Sequence, residues 1–295
     1  MSARQPHALP GAVPVQALAC RGGVARTVAD WVADEVPIAL QYNGISHAVM
    51  LATPLDLEDF ALGFSLSEGI VDRAGDMHDI MPESTSDGIV LHIDVAARCL
   101  VRLKERRRTL AGRTGCGLCG VESLAQALPR IEQRVRPFAL AREALTRALR
   151  EMRQQQALQS ATGATHAAAW CDADGSVELV REDVGRHNAL DKLIGALARS
   201  RRDPATGFIA VTSRASYEMV QKTVRAGVGA LAAVSAPTAL AVRTAEAAGL
   251  VLVGFARGDD WVAYCGDVGT PRRLVVSPQA NPSNGSGGSW GSPAG

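Results

Sequence analysis

The chain has 295 residues, 47% of them hydrophobic and 21% charged, with a net charge of +1. That is enough apolar material for the core of one large or two modest domains, while the balanced charge and an aromatic content of 4% argue against a nucleic-acid surface of basic stripes or stacking platforms. No segment approaches the roughly 18 consecutive apolar residues of a membrane span, and scattered single cysteines fit a reducing compartment.

Residues 1–30 read as a disordered or extended leader. The apolar stretch from Ala8 to Cys20 faintly imitates an export signal, but Pro10 and Pro14 interrupt it and Arg4 is its only early positive charge, so a cytoplasmic protein is expected. A smaller N-terminal α+β domain is expected over 31–140. In it, Val36 to Leu40 and Ile45 to Leu51 flank Asn43-Gly44, which predicts a hairpin. Pro54 and Asp56 then open a helix with Leu57, Phe60, Ala61 and Phe64 at helical spacing, acids Glu58 and Asp59 in its first turn, and Gly69 as its stop. Ile89, Leu91, Ile93 and Val95 alternate with His92 and Asp94, which predicts a strand with His92 toward solvent.

The stretch 112–120, GRTGCGLCG, sets Cys116 and Cys119 three positions apart on a loop rich in glycine. Arg102, Lys104, Arg106, Arg107 and Arg108 precede it, and Val121 to Leu128 after it reads as a short helix, so a positive field and a helix N-terminus would both favour thiolate. A CxxC also suits half of a zinc site or a thioredoxin-type redox pair. Against these stand the lack of a second CxxC or HxxxH and of a compact βαβ opening before the cysteines, so no bound metal is expected and an exposed nucleophilic sulfur is preferred.

From about Ala141 to Gln159 a long helical pattern runs, with Gln154-Gln155-Gln156 as a solvated face. A larger C-terminal α/β domain is expected over 141–270. Its hairpin joins His166–Cys171 to Val177–Val180. Helices near His187–Arg199, Ser216–Ala226 and Pro237–Ala248 then alternate with strands at Phe208–Thr212, Ala230–Val234 and Leu250–Phe255, before a last strand at Trp261–Tyr264. The alternation implies a mixed, largely parallel sheet in a three-layer fold. Ligands of such sheets sit beyond the carboxyl ends of strands, so Thr212-Ser213-Arg214, Ser235-Ala236-Pro237-Thr238 and Arg257-Gly258-Asp259-Asp260 are candidate binding segments, with Ser213 and Ser235 alternatively serving as helix caps. Arg181 to Asn188 is a further dense polar cluster, either functional or a strand end and cap, with Asp191 and Lys192 on an exposed face in the second reading. Residues 271–295 read as a disordered tail, nearly all Gly, Ser, Pro and Asn from Asn281 on.

Taken together, GRTGCGLCG at 112–120, YNGISH at 42–47, DLEDFALGFSLSEGI at 56–70, THAAAW at 165–170, EDVGRHNALDKLIG at 182–195, SRASYEMVQK at 213–222 and VSAPTALAV at 234–242 resemble the FdhD family of sulfurtransferases needed by formate dehydrogenase, from about Asp34 to Tyr264. The resemblance implies that a cysteine desulfurase loads sulfur as a persulfide on Cys116, assisted by Cys119, for delivery to the molybdenum bis(molybdopterin guanine dinucleotide) cofactor. It implies a cofactor-binding stretch at Phe255, Ala256, Arg257, Gly258, Asp259 and Asp260, with Ser213 and Arg214 near its phosphates and GDP as a mimic of its guanine end. It also implies a homodimer, a formate dehydrogenase catalytic subunit as the enzyme served, and a cytidine deaminase-like C-terminal domain. Deaminase chemistry is not implied, because Ala168 stands where H-x-E would need a glutamate after His166. An alternative reading is a non-catalytic cofactor chaperone with the CxxC as a structural clip.

Overall fold

The computed structural model describes residues 9–110 and 133–269. The N-terminal unit is a four-stranded sheet in the order β4-β3-β6-β5, made of β3 (Val36–Tyr42), β4 (Ile45–Ala52), β5 (Met77–Thr85) and β6 (Gly88–Val95). Asn43 and Gly44 both take positive φ, 45° and 79°, the backbone that an Asn-Gly hairpin turn requires. Alternation sends Ile38, Leu40 and Tyr42 of β3 and Leu91, Ile93 and Val95 of β6 to one face. There they meet Phe60, Ala61 and Phe64 of α1 (Leu57–Ser67) and Cys99 and Leu103 of α2 (Ala97–Leu110).

The C-terminal unit is a six-stranded sheet in the order β12-β11-β10-β9-β7-β8. Its strands are β7 (His166–Asp172), β8 (Val177–Asp183), β9 (Gly207–Val211), β10 (Ala230–Ala233), β11 (Val251–Arg257) and β12 (Asp260–Cys265). Ile209 and Val211 pack on one side with α5 (Arg186–Ser200), α6 (Tyr217–Arg225) and α7 (Ala239–Ala248), while Phe208 and Ala210 pack on the other with α3 (Arg142–Gln154). Three layers result, as the alternation of elements predicts.

Several expectations need correction. The stretch read as a leader contains a ribbon, β1 (Ala12–Arg21) paired antiparallel with β2 (Val24–Ala33), turning at Gly22-Gly23 with φ of 59° and 81°. Pro14 is tolerated because each strand of a two-stranded ribbon keeps one unpaired edge. Pro82 sits likewise in the edge strand β5, which the sequence pattern does not predict. Only β9, β10 and β11 run parallel; the β7-β8 hairpin and β12 join them antiparallel, so the sheet is mixed rather than largely parallel.

The long helix from Ala141 is two, α3 and α4 (Ala157–Thr162), because the Glu182 carboxylate accepts from Leu158 N at 2.9 Å and Gln159 N at 2.8 Å and so caps a second start. Gln156 at that break is buried, unlike the solvated face expected of the glutamine run.

The two units meet where α1 crosses α5. A Cβ added to Gly63 would lie 1.7 Å from the Asp191 carbonyl oxygen, and one added to Gly195 would lie 1.9 Å from that of Asp59. Gly63→Ala is therefore expected to force the helices apart and lower stability by about 1–3 kcal/mol or more, read as a drop in the urea midpoint. An unchanged midpoint would contradict this packing.

Candidate functional site

At the carboxyl edge of the parallel strands, three segments predicted separately from sequence come together. Ser235 N donates to Ser213 O at 3.4 Å, Ala215 N to Ala236 O at 3.3 Å and Thr238 N to Ala215 O at 3.0 Å, lacing the loop after β9 to the loop after β10. Phe255 N donates to Ser235 O at 3.2 Å and Arg257 Nε to Val234 O at 3.2 Å, which brings the end of β11 beside them. Ser213 is buried with its hydroxyl donating to Arg214 O at 3.0 Å, and the Arg214 side chain is exposed.

Neither Ser213 nor Ser235 caps a helix. The N-cap of α6 is Ser216, and that of α7 is Thr238, whose hydroxyl accepts from Ala241 N at 3.2 Å.

Arg257-Gly258-Asp259-Asp260 is a tight hairpin turn between β11 and β12, with Arg257 paired to Asp260, rather than a strand leading into a helix. No helix N-terminus therefore faces a ligand at that turn. Gly258 holds φ 59° there. Asp259 accepts from Thr146 Oγ1 at 3.1 Å and borders a cleft of 340 Å³ shared with Arg142, Arg147 and Arg150 of α3. Asp260 makes no side-chain hydrogen bond or ion pair with the described residues. Ala256 is buried, whereas Phe255 is 45% exposed and holds φ 52°. A bulky residue in that region is strained by about 1–3 kcal/mol, which the flanking strand pairing of β11 sustains.

Cys116, Cys119 and the predicted helix from Val121 to Leu128 lie outside the described residues. Of the basic run before them, Arg102 is tied down: its guanidinium donates to both Asp72 carboxylate oxygens at 3.0 and 3.1 Å and to Ile70 O at 2.9 Å. His92 does turn outward, to Glu83 at 2.7 Å. Among the described residues no group of three or more His, Cys, Asp or Glu is placed to hold a metal ion, and no helix is long and apolar enough to cross a membrane.

A buried ionic network at the α1–α5 crossing was not legible in the sequence. Asp191 and Lys192, placed on an exposed face by the capping reading of their segment, are 1% and 0% exposed. Lys192 Nζ lies 2.7 Å from Asp183 Oδ2 and donates to Thr53 Oγ1 and O at 2.9 and 3.0 Å, and Thr53 N and Oγ1 donate to the same Asp183 oxygen. The other Asp183 oxygen accepts from Gly185 N and from Asn188 Nδ2, which also donates to Leu51 O. Burial pulls the Lys192 ammonium below the usual lysine range, against the attraction of Asp183.

Through the adjacent Asp191, Lys222 Nζ of α6 joins the network, donating to Asp191 at 2.9 and 3.0 Å, to Ser67 Oγ at 2.8 Å and to Glu68 at 3.0 Å. Burial alone would lower it, but Asp191 and Glu68 outweigh that and hold it above its ordinary value. Asp59 completes the set, accepting from Arg181 at 2.6 and 2.9 Å and from Arg199 at 3.0 Å.

Asp59, Ser67, Glu68, Asp183, Asn188, Asp191, Lys192 and Lys222 of this network fall in the strings 56–70, 182–195 and 213–222, and the sequence profile of the FdhD/NarQ family matches residues 33–269. The chain belongs to the FdhD/NarQ family. Its relatives include proteins named sulfur carrier protein FdhD. That of Variovorax paradoxus is 61% identical over 80% of this chain and 84% of its own length, that of Cupriavidus necator 60% over 83% and 84%, and that of Bordetella petrii 55% over 88% and 93%. A crystal structure from Desulfotalea psychrophila, described as that of a formate dehydrogenase accessory protein, shares the fold with a TM-score of 0.70 at 21% identity. The match covers 87% of this chain and 98% of that one.

In this FdhD/NarQ chain the buried pairs have a measurable consequence. Lys192→Met leaves the Asp183 carboxylate charged and uncompensated in the interior, which is expected to remove about 3–5 kcal/mol of stability. Lys104→Met on the exposed side of α2 is expected to change it by less than about 0.5 kcal/mol. Urea unfolding of both variants checks the contrast, and equal midpoints would refute it.

Proposed function

We propose that this protein is a sulfur carrier and sulfurtransferase of formate dehydrogenase maturation. In this reading a cysteine desulfurase loads Cys116 as a persulfide, and the sulfur is passed to the molybdenum bis(molybdopterin guanine dinucleotide) cofactor, which is cargo and substrate rather than a resident group. The observation that carries the reading is the identity of about 60% to proteins named sulfur carrier protein FdhD over more than four-fifths of their length.

The loading step balances without an external oxidant. The Cys116 thiolate attacks the terminal sulfur of the donor's persulfide, a new S–S bond forms on Cys116, and the donor's cysteine leaves as thiolate. A low thiol pKa serves that attack, and the basic residues that precede the CxxC in the sequence are the feature that would promote it. Cys119 would assist by holding the loop, sharing the sulfur or releasing it.

The cofactor's guanine end is assigned to the carboxyl edge, where Phe255 offers an exposed ring and Asp260 a carboxylate without a side-chain partner among the described residues. Adjacent N1–H and N2–H₂ donors of guanine suit one carboxylate, and Arg257, Ser213 and Arg214 lie near enough along the edge to serve the phosphates. Asp259 is already engaged by Thr146, so it is the weaker candidate of the two aspartates. A cytoplasmic homodimer serving the catalytic subunit of formate dehydrogenase, and a cytidine deaminase-like fold for the C-terminal unit without its chemistry, complete the reading.

Mass spectrometry after incubation with a cysteine desulfurase and cysteine is expected to show a gain of about 32 Da, one sulfur atom, on Cys116. Cys116→Ser should abolish sulfur transfer with the fold intact, and Cys119→Ser should reduce it less. Transfer by Cys116→Ser at the parent's rate would leave only a binding role, with the CxxC as a clip.

Calorimetry is expected to find GDP bound more tightly than ADP. Replacing Asp259 and Asp260 together by alanine should weaken GDP by roughly 1.5–3 kcal/mol more than ADP. Equal binding of the two nucleotides by the parent would rule out guanine reading.

A further inference from the structure

The β1-β2 ribbon is apolar yet has no core of its own. Only Gln16, Arg21, Arg26, Thr27 and Asp30 of its two strands are polar, and among the described residues none of either strand is buried. Leu18 is 75% exposed and Val24 68%. Although β2 leans on the short helix α4, a two-stranded ribbon needs a further strand or a packed layer to be more than marginal in water. Its strands pair along all 10 residues without a bulge, whereas the β3-β4, β5-β6, β7-β8 and β11-β12 pairs each contain an irregularity. A long, regular, apolar ribbon left open is a site of association.

A second uncovered apolar surface lies on the N-terminal sheet, on the face turned away from α1 and α2. Alternation sets Pro37 and Ala39 of β3 there beside Leu51 and Val49 of β4, with Met81 of β5 farther across. Val49, Leu51 and Met81 are 63%, 56% and 59% exposed, so the chain's own ribbon does not cover them. Toward β5 and β6 the same face turns acidic, with Asp79 and Asp94 exposed and Glu83 engaged only by His92. On the ribbon, the paired rows put Val13, Val15, Val24, Val28 and Val32 on one face, with Asp30 its single acid and Arg21 and Arg26 at its tip.

We propose that the ribbon is a dimerisation arm: its valine face packs on the helix-free face of the N-terminal sheet of a second copy, and the second copy's ribbon makes the same contact in return. The inference gives a surface to the homodimer of the proposed function and rests on that part of it. In this pairing the valines meet the apolar side chains of β3 and β4, and the basic tip meets the acids of β5 and β6. A ribbon of 10 residues is about 33 Å long and about 10 Å wide, so each docked face covers about 300 Å². Two reciprocal contacts remove roughly 1,200 Å² from water, the lower end of a specific interface. A surface open whenever the chain is folded needs a cover equally constant, which a second copy provides. Reciprocal exchange about a two-fold axis also closes on itself and stops at two copies.

The test is light scattering of the full chain across a dilution series, with thermal melts to verify that each variant is folded. The parent is expected to be dimeric at micromolar concentration. Val24→Glu and Val49→Glu, both at positions exposed within one copy, should each raise the dimer dissociation constant by about thirtyfold or more, as a charge placed at the centre of an apolar contact implies. Val101→Glu, at an exposed position of α2 outside both faces, should dimerise like the parent. A monomeric parent would overturn both this inference and the homodimer reading. A dimeric parent whose Val24→Glu and Val49→Glu variants dissociate no more readily than Val101→Glu would overturn the arm alone and leave the homodimer standing. Neither result bears on sulfur loading at Cys116, which mass spectrometry reads separately.

Discussion

Where α1 crosses α5 the two backbones approach so closely that neither Gly63 nor Gly195 has room for a methyl group, and each glycine lies against a backbone carbonyl of the opposite helix. At that distance side chains cannot interleave between the axes, so the contacts that hold the crossing come from its flanks. Charged and hydroxyl groups fill those flanks: Asp59 with Arg181 and Arg199, Thr53 with Asp183 and Lys192, and Ser67 with Asp191 and Lys222. The remainder of the molecule is arranged around this junction, since α1 carries the N-terminal sheet and α5 carries one face of the C-terminal sheet.

Buried ion pairs of this kind add little net stability compared with a well-packed apolar interface, because desolvation offsets most of their attraction. What they add is geometry. A lysine that must reach one carboxylate and one hydroxyl in a dry interior permits a single register of the helices, and a slip of one turn leaves charges unpaired. Partners are drawn from both units: Thr53, Asp59 and Ser67 from the N-terminal one, and Asp183, Asp191, Lys192 and Lys222 from the C-terminal one. Each unit alone would expose or strand charged groups, so the pair behaves as one body in which the segment leading toward the CxxC and the carboxyl edge keep a defined relation.

The carboxyl edge owes its character to the change of direction in the sheet. Three central strands run parallel and end together, while the β7-β8 hairpin and β12 return antiparallel on either side. The loops after β9 and β10 therefore pair with each other in the middle, the strained Phe255 stands at one side, and the starts of α5 and α6 meet at the other. Polar residues that are distant in sequence become neighbours there.

Periodicity and turn chemistry sufficed for most elements, because they act over a few residues: the Asn43-Gly44 hairpin, the amphipathic helix after Asp56 and the strand-helix alternation after His166 all follow from local sequence. Motif strings were enough to identify the family. Other features depended on partners far along the chain. Pro10 and Pro14 conceal a ribbon whose second strand supplies its pairing, and the glutamine run conceals a helix break made by Glu182, more than twenty residues away. Asp191 and Lys192 look like surface charges because charge alone predicts exposure. Only the approach of α1, more than 120 residues earlier in the chain, buries them and provides Thr53 and Ser67 as partners. The tertiary structure alone decided which charged residues are interior, since burial of a charge depends on a partner that local sequence cannot specify.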